Sequence, residues 1–177
     1  RYVLTLSHLI RGYIDNGNFE KACDLIQTMK SLPKEKGFKS IDVEVSIFTL
    51  GSNAALLYYN RKGEFSKSVE LIDDIIEKSK EYKNKVSKEQ EILFSYNMAY
   101  AYFGLEDYKK ALYYLNKVLN DNEQHLRQDI YSFSRIFNLI IHYELENYDF
   151  LEYMIKSTSR YLSKHEKDYE IEEVFVK

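Results

Sequence analysis

The chain has 177 residues, one cysteine and a formal net charge of −3, with 25 Lys+Arg set against 28 Asp+Glu. That near balance excludes a nucleic-acid binder driven by bulk charge, and a lone cysteine forms neither an internal disulfide nor a thiolate metal cage. Six glycines and one proline, where average usage of the pair is about 12%, are too few turn-formers for an all-β sandwich or barrel, and no stretch reaches the roughly 18 apolar residues that cross a bilayer.

In chain order, apolar residues recur at three- and four-residue spacing: Leu6, Leu9, Ile10 and Tyr13, then Leu71, Ile72, Ile75 and Ile76, then Leu112, Leu115 and Leu119, then Phe133, Ile136, Phe137 and Ile140. This period predicts helices near 2–15, 18–31, 41–62, 64–84, 88–105, 107–120, 124–145 and 147–164, with part of a ninth at 168–177. Asn18, Asp107 and Asn147 each precede an aromatic residue and read as N-caps, Ser87 with Gln90 forms a capping box, and Ser40 marks the helix that begins at Ile41. Pro33 and Gly37 close the second helix.

Four segments, 11–29, 57–75, 100–118 and 141–159, share one design. An apolar-periodic run ends at a short polar turn, an aromatic follows, and a second run begins. The landmark aromatics Phe19, Phe65, Tyr108 and Tyr148 are 46, 43 and 40 residues apart, so each unit is a helix hairpin. A hairpin cannot bury two apolar faces alone, and stacking hairpins does bury them. The expected fold is all-α: a single domain formed by a solenoid of four hairpins (2–31, 41–84, 88–120, 124–164). The segment 168–177 is expected to cap it or to begin the next repeat. A start at Arg1 without Met, and an end inside the apolar pattern from Ile171 to Val176, suggest a piece of a longer protein. The cysteine count fits the cytoplasm.

The third unit resembles a tetratricopeptide repeat. Ala99 and Tyr102 on its first helix, Tyr108 at the turn and Ala111 early in its second helix fill the places where that family has a small residue, two aromatics and a second small residue. Tyr13, Phe19 and Ala22 match in the first unit, and Tyr59, Phe65 and Ser68 in the second. The fourth departs, with His142 in place of an aromatic and Leu151 in place of the small residue. The spacing exceeds the roughly 34 residues of that family and overlaps the HEAT and armadillo range.

Enzyme chemistry is not expected. The six glycines form no phosphate loop. His8, His125, His142 and His165 include no i, i+4 pair, so no metal or cofactor is expected, and His142 reads as an interior or boundary histidine. In Asp15 to Glu20, Phe19 stands where a calcium loop needs an oxygen ligand. Cys23 reads as a packed thiol, and Asp73 and Asp74 point about 100° apart on a helix. The lysines between 77 and 91 alternate with glutamates and read as a solvated edge rather than a nucleic-acid patch. Residues 1–88 carry a formal +3 and residues 89–177 a formal −6.

The resemblance implies that the first helices line a concave surface where a partner binds. The positions it places there are Ser7, Arg11 and Ile14, then Asn53, Leu57 and Asn60, then Tyr96, Tyr100 and Phe103, then Ile136, Ile140 and Tyr143. Arg11, Asn53 and Asn60, with Arg61 beside them, suit a carboxylate or the amides of an extended backbone. Tyr96, Tyr100, Phe103, Ile140 and Tyr143 suit apolar side chains. The set of Lys, Arg and Asn that clamps chaperone tails is absent, since Ser7, Arg11, Ala54, Leu93 and Asn97 hold the matching places. The expected function is a non-enzymatic scaffold or adaptor binding a protein or peptide, with no nucleic acid and no membrane insertion. The alternative is a peptide-sensing regulatory domain of a signalling or transcriptional protein. Ile171, Val174 and Phe175 form an apolar stripe suited to self-association.

Overall fold

A computed structural model describes residues 1–82 and 84–164. Its helices are α1 (Tyr2–Asp15), α2 (Phe19–Ser31), α3 (Ile41–Arg61), α4 (Phe65–Glu70), α5 (Ile72–Glu81), α6 (Lys88–Gly104), α7 (Tyr108–Leu119), α8 (Gln128–Glu144) and α9 (Tyr148–Lys164). Short 3-10 turns lie at Leu32–Lys34 and Gln124–Arg127. Every regular element among the described residues is helical, and no described helix is long and apolar enough to cross a membrane.

The first helices, α1, α3, α6 and α8, lie side by side. Each second helix packs on its own partner and on the next first helix: α2 on α1 and α3, α4 on α3 and α6, α7 on α6 and α8. The result is an α-solenoid whose core is a row of interfaces between neighbours. Ile10, Met29, Leu56, Leu115 and Ile141 sit at its centre with no accessible surface. Ala22, Ser68 and Ala111, the small residues early in the second helices, are also fully buried, because the paired helices cross there too closely for a larger side chain.

One turn is built four times. Gly17, Gly63, Glu106 and Glu146 all adopt positive φ (71°, 72°, 60° and 58°) two residues before the landmark aromatic. The next backbone N–H then returns to a carbonyl five residues back: Asn18 to Tyr13, Glu64 to Tyr59, Asp107 to Tyr102 and Asn147 to His142, at 2.8 to 3.0 Å. This is the Schellman closure that satisfies the last carbonyls of a helix. In three units a lysine then covers a ring of the preceding helix. Lys21 lies over Tyr13, Lys67 over Tyr59 and Lys110 over Tyr102, each ammonium 5.0 to 5.7 Å from the centroid, within cation–π range.

Asn18, Ser87 and Asp107 accept from the backbone N–H of Lys21, Gln90 and Lys110 as expected of caps. Ser40 is the N-cap residue of α3, which begins at Ile41 as expected, though its side chain makes no cap hydrogen bond. Other expectations need correction. The helix expected at 64–84 breaks at Leu71, where the backbone N–H bonds Ser68 three residues back instead of four, and the helix expected from 124 begins at Gln128 after a 3-10 turn. The helix expected at 168–177, with Ile171, Val174 and Phe175, lies outside the described residues.

Candidate functional site

The inner faces of the four first helices enclose a groove of about 440 Å³. Leu4, Ser7, His8 and Arg11 of α1 line one wall, and Leu57 and Arg61 of α3 continue it. Leu93 and Tyr96 of α6, with Ile130 and Phe133 of α8, line the other. The floor is amide-rich, formed by Asn53, Gln90 and Asn97.

These amides belong to a hydrogen-bonded ladder between α3 and α6. Asn53 Nδ2 donates to Gln90 Oε1 at 2.8 Å, and Asn97 Nδ2 donates to Asn53 Oδ1 at 3.3 Å. Two helical turns further along α3, Asn60 Nδ2 donates to the main-chain oxygen of Asn97 at 3.0 Å, and Ser68 Oγ donates to Asn60 Oδ1 at 2.8 Å. Asn53, Asn60, Asn97 and Ser68 are all buried, and buried amides need such partners to offset their lost hydration.

The groove is cationic in a chain of net negative charge. Arg11 and Arg61 are exposed on its wall, and Arg11 reaches Asp15 only at 3.7 Å. Asp129 is the one acid among the described lining residues, and Arg127 holds it with two hydrogen bonds of 2.9 and 2.7 Å. That pair keeps the Asp129 carboxyl below its usual range. Tyr96 is half-buried, and burial pushes its phenol up.

The structure therefore brings Arg11, Asn53 and Tyr96 together, with Ser7, Ile14 and Leu57, and places the other expected positions elsewhere. Asn60 is turned into the α3–α6 interface. Tyr100 lies against Phe65 and Phe137, with ring centroids 6.3 and 5.8 Å away, and Phe103 packs on Phe137 and Tyr108. Ile136 is buried in the core, whereas Ile140 and Tyr143 are exposed at the fourth hairpin. Gln90 and Arg127 were not among the expected groove residues. The ladder has a sequence signal, because Asn53 to Gln90 and Asn60 to Asn97 share a separation of 37 residues.

Residues 4–32 match the PPR repeat. The match covers α1, α2 and the turn between them, so the comparison and the packing agree on a helical-hairpin repeat. The matching repeat is related to the tetratricopeptide type but is not that type. No curated protein and no solved structure matches the chain.

Proposed function

We propose that the chain is a non-enzymatic helical-repeat scaffold, tetratricopeptide-like in its third unit, that binds an extended segment of a partner protein in the inner groove. The observation that carries this reading is the pairing of an amide floor (Asn53, Gln90, Asn97) with Arg11 and Arg61 on the wall. An extended backbone offers N–H and C=O groups that amide side chains match, and guanidinium groups suit a carboxylate. Leu57, Leu93 and Phe133 offer apolar contact between them.

The test is selection of binders from a random-peptide library, followed by fluorescence anisotropy with wild type, Arg61→Glu and Leu93→Lys, each checked for helicity by circular dichroism. Folded variants that bind the selected peptides at least tenfold more weakly support the groove. Peptides that bind all three proteins equally would move the site elsewhere.

The PPR match over 4–32 favours a second reading, single-stranded RNA, since PPR repeats read one base per repeat with two or three side chains. Oligouridylate binding that falls steeply with salt and with Arg61→Glu would replace the peptide reading. The ladder favours a sensing role for the same groove. A ligand that takes the amide of Gln90 or Asn97 competes with bonds that set the packing of α6 on α3, and so biases solenoid curvature.

A further inference from the structure

The fourth hairpin differs from the other three in one respect that changes its surface. In the first three units a ring and the lysine eight residues later close on each other; in the fourth, His142 and Phe150 hold those two places. No Lys or Arg occurs between Arg135 and Lys156. The rings left there are open to solvent: Tyr143 is 60% exposed, Tyr148 56%, Phe150 66% and Tyr153 73%. Tyr143 and Tyr148 stand edge to face, with centroids 5.8 Å apart, and Phe150 and Tyr153 are neighbours on one face of α9 by their i, i+3 spacing. Glu146 and Asp149 are exposed on the same turn of chain. Lys156 lies a turn further along, tied to Glu152 at 2.5 Å.

We propose that the face of α9 carrying Asp149, Phe150 and Tyr153, with Glu146 in the turn before it, docks a basic segment of a partner protein, with arginine or lysine cations stacked on Phe150 and Tyr153 and paired with Glu146 and Asp149. The chemistry is that of the three closed hairpins, with the cation supplied from outside the chain. Aromatic faces attract ammonium and guanidinium groups, and nearby carboxylates add charge complementarity that speeds and orients docking. A neutral apolar partner would leave Glu146 and Asp149 desolvated without a counter-charge. This surface is separate from the inner groove, whose cations call for the opposite charge.

The experiment is an ¹⁵N NMR titration of the full chain with a twelve-residue peptide alternating Arg and Ser, against Glu/Ser and Gln/Ser controls. Two variants, Phe150→Ser/Tyr153→Ser and Glu146→Gln/Asp149→Asn, are carried alongside, and all substituted side chains are exposed. The expected result is a set of shifts concentrated in 143–156 with the Arg/Ser peptide only. Its affinity should fall at least tenfold in the ring variant and severalfold in the carboxylate variant, with helicity unchanged. Shifts centred elsewhere, binding unaffected by loss of the rings, or no binding above the Glu/Ser control would overturn the proposal. So would sedimentation showing a wild-type dimer that the ring variant abolishes, because a second copy would then occupy the face.

Discussion

Asn60 and Asn97 are joined across the α3–α6 interface: the Asn60 amide donates to the Asn97 carbonyl oxygen at 3.0 Å while accepting from Ser68 Oγ at 2.8 Å. All three residues are buried, so the main value of these two bonds is that the Asn60 amide and the Ser68 hydroxyl are not left orphaned. Asn60→Leu leaves the Ser68 hydroxyl without its acceptor and should cost about 2 kcal/mol, as a lower urea midpoint at unchanged slope. Asn60→Leu/Ser68→Ala removes both members of that pair and should recover part of the loss. A double variant no more stable than the single would mean that Ser68 finds another acceptor.

Gly104 ends α6 against the ring of Phe65, the landmark aromatic of the preceding hairpin. A Cβ added at Gly104 would overlap the ring itself, at Cγ and both Cδ atoms. The ring must then move as a body inside a packed interface with Tyr100, so Gly104→Ala should destabilise by about 1 to 3 kcal/mol despite alanine's better helix propensity. In Phe65→Ala the same substitution should become neutral or stabilising. Equal costs in both backgrounds would place the constraint on the backbone of Gly104 rather than on the ring.

How far the sequence carries can be judged from these residues. The repeat was legible because Phe19, Phe65, Tyr108 and Tyr148 recur where a turn ends, and because Ala22, Ser68 and Ala111 stand where helices cross. The break at Leu71 was not, since the apolar period runs on through Leu71, Ile72, Ile75 and Ile76 and a single backbone bond decides it. On the inner face the spacing by helical turns marks the positions but not which way each side chain turns. Asn53 and Tyr96 reach the groove, whereas Asn60, seven residues after Asn53, is taken up by Ser68 and Asn97. A one-helix pattern cannot show that, because the partner lies on another helix. The common 37-residue separation is the trace that this helix pairing leaves in the sequence.

The hairpin turns predict opposite effects for glycine at equivalent positions. Gly17 and Gly63 have positive φ and open space where a Cβ would go, so Gly63→Ala meets only backbone strain and should cost about 1 kcal/mol. Glu106 already bears that strain at φ 60°, and Glu106→Gly should stabilise by up to about 1 kcal/mol, less the entropy glycine gains on unfolding. Thermal unfolding of both variants checks the pair. A destabilising Glu106→Gly would show that its side chain contributes more than the strain costs.

His142 predicts a dependence on pH. Its ring is half-buried, burial holds its pKa below the ordinary 6.5, and Asn147 Nδ2 donates to Nδ1 at 3.1 Å. The folded state thus favours the neutral ring and the unfolded state binds the proton more readily, so the stabilising difference is present above pH 6.5 and is lost as pH falls through the lower, folded-state value. Protonation also removes the lone pair that accepts from Asn147 and loosens the turn leading into α9. Wild type should therefore lose melting temperature between pH 7.5 and 5.5 more steeply than His142→Gln, which does not titrate there. Parallel curves for the two proteins would assign the acid sensitivity to other groups.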